Sequence, residues 1–252
     1  MLQKILSRMR KAIEDYQMIA DGDHIAVGVS GGKDSLVLLT GLKALQRFLP
    51  VSFRITAVTL SMGFEGFDRD GLVAFYEKLG VDWHIEDTQI GGVVFDIRKE
   101  SNPCALCANL KRGTIHSVAN RLNCNKVAFG HHMDDAIETL MMSLIYEGRI
   151  HCFSPVTHLD RSGVTLIRPL LYAAEKEIRS CARAEGLTPI ATGCPVDGIT
   201  KREWIKGHIR ELRAVNPNIK AALFGAIQRG HINGWKPMGK SSQYKKGHPT
   251  PE

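Results

Sequence analysis

Leu2, Ile5, Leu6, Met9, Ile13 and Tyr16 recur at spacings of three and four, with charged residues between them. That period lays a stripe down one face of a helix, so the chain is expected to open with an amphipathic helix that ends before Asp21, Gly22 and Asp23 and packs on the main body. The pattern then changes. Three short β-rich apolar runs, HIAVGVS, FRITAVTL and KVAFG, each lead into helical periodicity, over Asp34 to Phe48, Gly71 to Leu79 and Asp134 to Tyr146. Continuous apolar strands alternating with helices predict an α/β fold: a doubly wound, mostly parallel sheet covered by helices. The final stretch, GWKPMGKSSQYKKGHPTPE, has little to bury and reads as a basic tail. The expected division is an N-terminal helix over 1–20, a main domain over 21–215, and a C-terminal helix with the tail over 216–252.

The 252 residues are 44% hydrophobic, enough for a sizeable core. No uncharged apolar stretch approaches the ~18 residues that span a bilayer, and the N-terminus lacks a signal-peptide core, so a cytoplasmic protein without a membrane partner is expected. Lys and Arg number 33 against 26 Asp and Glu, a net charge of +7 that suits a polyanionic partner. The cysteines are Cys104, Cys107, Cys124, Cys152, Cys181 and Cys194. Without an export signal a disulfide framework is disfavoured, and metal or redox use gains weight.

In HIAVGVSGGKDS a strand feeds Ser30, Gly31 and Gly32, and a helix opens near Asp34. A helix N-terminus behind a glycine turn gathers backbone N–H donors and the positive end of the dipole, which makes an anion site. The usual nucleotide P-loop is excluded, since Val27 stands where its first glycine should be and Asp34 follows the lysine in place of Ser or Thr. SGGKDS resembles instead the PP-loop of the N-type ATP pyrophosphatases, which cleave ATP to AMP and pyrophosphate while adenylating a substrate. On that resemblance Gly31 and Gly32 let the backbone approach ATP, Ser30, Lys33 and Ser35 hold the departing oxygens, and Asp34 holds Mg²⁺. The competing reading is a tight turn capped by Asp34 or Ser35.

NPCALCANLKRG places Cys104 and Cys107 at a spacing that can clamp a metal or cluster, with Lys111 one helical turn beyond Cys107. A four-cysteine zinc site would want a second such pair, and none exists. Cys194, in ATGCPVDG, follows a strand-like run and sits in a Gly-Pro turn where a thiolate is readily presented. Cys152 and Cys181 read as core residues; Cys124 suits either role but is assigned with them. AFGHHMDDAIETL runs from strand to helix, so Gly130, His131, His132, Asp134 and Asp135 lie at a strand C-terminus, where open α/β sheets bind ligands. Mg²⁺–ATP binding, with Gly130 and His131 on the nucleotide, or helix capping fits them better than zinc; Glu138 simply continues the acidic first turn.

In this order SGGKDS, CALCANLKRG, GHHMDDAIETL, IRPLLYAAEKEI and TGCP resemble the tRNA 2-thiocytidine synthetase family, from DYQMIADGD to the helix after Cys194. The resemblance implies ATP, Mg²⁺ and a [4Fe–4S] cluster on Cys104, Cys107 and Cys194, whose fourth iron stays open to hold a sulfide. It implies adenylation of the C2 oxygen of a tRNA cytidine, cytidine 32 of the anticodon loop, followed by sulfur attack that expels AMP. Lys111 and Asp135 match positions near the reacting centre, the first to stabilise negative charge, the second to bind Mg²⁺ or position the base. The implied partners are tRNA and a sulfur donor, a persulfide-forming desulfurase or free sulfide; a homodimer is compatible with the family. Better-known members are longer, and the paired-cysteine zinc fingers of the uridine thiolases are missing here. Lys201, Arg202, Lys206, Arg210 and Arg213 fall at spacings that line one helix, with Trp204 and His208 among them, a face suited to tRNA phosphates. The rivals are a tRNA lysidine synthetase-like or small-molecule-thiolating PP-loop enzyme, and a non-enzymatic ATP-binding iron–sulfur or zinc protein.

Overall fold

The computed structural model describes residues 1–98, 103–159, 163–191 and 201–236, and within these every side chain except those of Cys104 and Ala105. Helix α1 (Leu2–Asp15) leads to β1 (Asp23–Gly28), α2 (Lys33–Leu45), β2 (Phe53–Ser61), α3 (Arg69–Leu79) and β3 (Asp82–Asp87). A short α4 (Ile90–Gly92), continued by a π-helical turn over Val93–Arg98, precedes α5 (Pro103–Arg121), β4 (Lys126–Ala128) and α6 (Met133–Glu147). The hairpin β5 (Val156–Leu159) and β6 (Val164–Ile167) follows, then α7 (Glu175–Ala184), α8 (Lys201–Val215) and α9 (Ile219–Arg229).

Among the described residues the strands form one sheet in the order β3-β2-β1-β4-β6-β5, parallel throughout except for the β5–β6 pair. Ile25, Ala26 and Val27 are all fully buried, which explains why β1 reads as a continuous apolar run: helices cover both of its faces. The mostly parallel α/β architecture expected from the sequence is present. The chain winds outward through β2 and β3, then returns through α5 to place β4 on the other side of β1. That reversal opens a crevice at the C-terminal ends of β1 and β4, where ligands bind in open α/β sheets.

The amphipathic stripe of α1 packs as its spacing predicts, with Ile5, Met9, Ala12 and Ile13 at 1% exposure or less. The same core takes Phe224 and Ile227 of α9 and Trp235, so both end segments bury side chains with the sheet's own helices. Residues 237–252, assigned to a basic tail, lie outside the described residues. No helix among the described residues is long and apolar enough to cross a membrane.

Candidate active site

β1 ends at Gly28, and the chain turns through Ser30, Gly31 and Gly32 into α2. Gly31 has φ 75°, a left-handed conformation that a side chain disfavours. Gly32 is the N-cap of α2 and brings no capping side chain, and a helix start of this kind suits an anion. Ser35 braces the loop: its hydroxyl donates to the Gly32 carbonyl at 2.8 Å and accepts the Ser30 N–H at 3.1 Å. Lys33 Nζ lies 3.1 Å from Asp34 Oδ2 and 3.2 Å from Glu175 Oε1, at the first residue of α7. Burial alone would raise the Glu175 carboxyl, but Lys33, with help from Lys206 and Arg179, holds it down at about 2. Asp34 Oδ1 is enclosed, with no hydrogen-bond partner and only His132 Nε2 nearby at 3.7 Å. An enclosed, unsatisfied carboxylate oxygen beside an anion cradle fits a divalent cation such as Mg²⁺.

The loop after β4 sits directly against this cradle. A Cβ on Gly130 would meet the backbone of Asp34 and Ser35 at 3.1 to 3.3 Å, so glycine is what lets the two loops touch. His131 packs between Phe129 and Phe153, at ring-centroid distances of 5.8 and 5.1 Å. Burial, with Arg168 nearby, pushes His131 down to about 4, so it is a neutral imidazole at physiological pH. His132 and Asp135 form a capping box on α6, and Asp135 Oδ1 also accepts from Arg202 at 3.2 Å. Asp134 accepts the Glu175 N–H at 2.7 Å and pairs with Lys220, which fixes α7 and α9 against α6. Of this motif, then, His132 and Asp134 organise the fold while Gly130, His131 and Asp135 face the cavity.

That cavity has a volume of about 420 Å³, and Ser30, Asp34, Ser35, His131 and Asp135 line it together with Lys111 and Arg112 from α5. Val58, Leu60, Met62 and Phe64 make its apolar wall. The structure thus brings Lys111 and Asp135, far apart in sequence, into one chamber with the glycine loop. Cys107 is buried against Met62, Ile90 and Val94, directly behind that apolar wall. Cys104 lies in the first turn of α5, which opens at Pro103.

Cys194 lies outside the described residues. The described residues before it, 187–191, form no strand; Pro189 offers no backbone donor, and Ile190 N–H instead bonds the Gly31 carbonyl at 2.9 Å. Ala191 O accepts from Asp68 N–H at 3.2 Å. The chain is therefore docked on the glycine loop at Ile190, four residues short of Cys194, a reach of at most about 14 Å. No set of three or more His, Cys, Asp or Glu side chains among the described residues is placed to hold a metal. Two cysteines one turn apart on α5, with Cys194 further along the chain, are a donor set whose chemistry fits an iron–sulfur group. Cys124, Cys152 and Cys181 are buried, and burial pushes the first two thiols up to about 11 and 12. They are structural, as expected.

The basic stripe of α8 needs correction. Ile205 and Ile209 must face the core, which turns the flanking Arg202 and Lys206 inward with them. Arg202 reaches Asp135 and Glu138, both at 3.2 Å, and belongs to the wall of the site. Lys206 and Arg210 line a second cavity of about 310 Å³ with Glu138, Glu175 and Lys220. Lys201, Arg210 and Arg213 remain exposed. Glu138 is also more than a solvated helix residue: it is 3% exposed, and burial raises its carboxyl to about 7. Glu138 and Glu175 were missed as site residues; the position of Glu138 four residues after Asp134, on the inward face of α6, was the available signal.

The Glu138 shift has a measurable consequence. Folding raises its pKa from 4.5 to about 7, so the stability it contributes is full below pH 4.5 and is lost as pH rises to about 7. Urea melts between pH 4.5 and 8 should show wild type losing up to about 3 kcal/mol relative to a Glu138→Gln variant. Parallel stability profiles for the two proteins would refute the assignment.

A glycine-loop anion cradle at the switch point of a parallel sheet, joined to an acidic loop and a lysine-lined cavity, defines a nucleotide-binding α/β protein of the PP-loop class. The family model described as PP-loop domain matches residues 1–209. The chain is 38% identical over 228 residues to the tRNA-cytidine(32) 2-sulfurtransferase of Geobacter sulfurreducens, covering 89% of each chain. It is 37% identical over 234 residues to the protein of that name from Pelobacter propionicus, covering 92% of this chain and 87% of the relative. Among solved structures, the U34-tRNA thiolase NcsA from Methanococcus maripaludis with its [4Fe–4S] cluster superposes with a TM-score of 0.74 at 26% identity, covering 92% of this chain and 80% of that one. An NH3-dependent NAD synthetase from Campylobacter jejuni shares the fold alone, at a TM-score of 0.51 and 16% identity. The chain belongs to the tRNA 2-thiocytidine synthetase family of PP-loop proteins, a family of tRNA sulfurtransferases.

Proposed function

We propose that this protein converts cytidine 32 of tRNA to 2-thiocytidine, using ATP to activate the C2 oxygen. The observation that carries the reading is the shared cavity, in which the ATP cradle, Lys111 and Asp135 line one chamber with Cys107 packed behind its wall. The C2 oxygen attacks the α-phosphorus, an O–P bond forms, and the bond to the β-phosphate oxygen breaks. The leaving pyrophosphate is received by the open start of α2, with Ser30 and Lys33 as further donors. Lys33 must turn from Asp34 and Glu175 toward the phosphates, while Asp34 and Asp135 hold Mg²⁺ against them. Sulfur then adds at C2, and the C2–O bond breaks to release AMP. Lys111 stabilises the negative charge that develops in these steps. Cys104, Cys107 and Cys194 would hold the cluster, which supplies an open coordination position for sulfur when bound. With sulfide as donor the exchange is redox neutral; a persulfide-forming desulfurase would need a reductant as well.

The curated relatives support cytidine over the uridine of NcsA. The target base must leave its stack to reach the cavity, which favours an unpaired loop nucleotide. The test is a pair of transcripts that differ only at position 32. Cytidine-32 tRNA should stimulate pyrophosphate release and gain sulfur, and uridine-32 tRNA should do neither. Equal thiolation of both would overturn the assignment of the base. Product that carries lysine in place of sulfur would favour a lysidine synthetase-like enzyme, and turnover without tRNA a small-molecule substrate.

A further inference from the structure

The end of α6 and the start of α8 meet at the surface beside the cavity wall. Tyr146 and Trp204 are 45% and 48% exposed, with ring centroids 6.2 Å apart. Lys201 Nζ lies 4.9 Å from the Tyr146 ring, and the His208 ring lies 3.7 Å from that of Trp204. Trp235 shows what a structural tryptophan looks like in this fold: it is fully buried, and its indole N–H donates to the Phe153 carbonyl at 2.8 Å. Tyr146 and Trp204 are instead left half exposed, with Lys201 over the one ring and His208 against the other. Arg202, between Lys201 and Trp204 in helical order, reaches Asp135 of the cavity, so the pair stands on the flank of the active site.

We propose that Tyr146 and Trp204 form a stacking platform for unpaired bases next to the target nucleotide, with Lys201 on the adjoining phosphate. The proposal rests on the reading that the substrate is tRNA and names the part of the surface that grips it. Extracting one loop base strips its neighbours of a stacking partner, and aromatic side chains beside a lysine replace that loss. Charge separates this occupant from a second copy of the chain. Helix α8 exposes Lys201, Arg210 and Arg213 against Glu203 and Glu211, on a chain of net charge +7, and a second copy would bring the same sign to the contact.

The test measures affinity for tRNA, and separately for ATP, over a range of salt concentrations. Trp204→Ala and Tyr146→Ala should each weaken tRNA binding by about fivefold or more, with ATP binding unchanged and Trp204→Phe restoring most of the loss. Their plots of log affinity against log salt should keep the wild-type slope, whereas Lys201→Ala should lower it by about one. A fully paired RNA stem should bind all of them alike. Wild-type affinity for tRNA in both alanine variants would overturn the platform, as would variants that instead shift the sedimenting mass of the protein from dimer to monomer. A wild-type protein that binds no tRNA would overturn the functional reading beneath it.

Discussion

A Lys33→Ala variant is expected to lose on the order of 10²-fold or more in tRNA-dependent pyrophosphate release while retaining its fold. The structure gives both halves of that expectation. Lys33 lies in the first turn of α2 with its side chain 27% exposed, so truncating it opens no core cavity. On the proposed mechanism its ammonium turns to the loop that receives the leaving group, and such a donor acts chiefly on charge that appears during the reaction. Glu175 keeps Arg179 as a partner at 3.0 Å when Lys33 is removed, which limits the cost to stability. The carboxylate should matter to catalysis only through the lysine. Glu175→Gln should therefore slow the wild-type enzyme and add little in a Lys33→Ala background, a non-additivity that a double-mutant cycle reads directly. Additive losses would show that Glu175 acts on something else.

The second large effect is expected at the cysteines. Cys104→Ala, Cys107→Ala and Cys194→Ala should each reduce formation of thiolated tRNA by at least about 10³-fold, and the triple variant should be hardly worse than any one of them. Ligands of one group act as a unit, so losing the first forfeits nearly everything. ATP affinity should survive in all of these variants, because the cradle is built from the loops after β1 and β4 and takes no cysteine. Anaerobic preparations should lose bound iron and sulfide in parallel with activity. Cys124→Ala is the internal control: its thiol sits in the core beneath β4, and its removal should cost some stability with activity kept. Full thiolation activity in any of the first three variants would remove the cluster from the mechanism, as a lysidine synthetase-like enzyme requires.

The parts of this molecule that were legible in the sequence are those set by local pattern. β1, β2 and β4 announced themselves because strands buried on both faces must be apolar throughout, and the glycine loop because Gly31 serves a backbone need that few other residues meet. β3, with the sequence DWHIED, is an edge strand with only Ile85 buried, so it carries no apolar run to read. The strands of the β5–β6 hairpin are four residues each, too short for alternation to stand out. The basic stripe of α8 was visible as a period, but a period fixes which residues share a side and not which side faces inward; Ile205 and Ile209 decide that. Glu138 looked like a solvated acid because its partner, Arg202, lies 64 residues away. Even the approach of the Cys194 segment to the glycine loop turns on one contact, between Ile190 and Gly31, that spacing along the chain does not disclose.

Activation by ATP and delivery of sulfur are assigned here to one chamber, so their products should appear together. Anaerobically prepared protein, loaded with iron and sulfide, would be incubated with tRNA, ATP and a sulfide source, and the tRNA nucleosides then analysed by mass. The expected result is 2-thiocytidine matched one to one by AMP and pyrophosphate, with all three lost in Lys33→Ala, and with thionucleoside and AMP lost but pyrophosphate release kept in Cys194→Ala. Thionucleoside formed in full by either variant, or ATP cleaved by the wild type with no sulfur in the tRNA, would contradict the account.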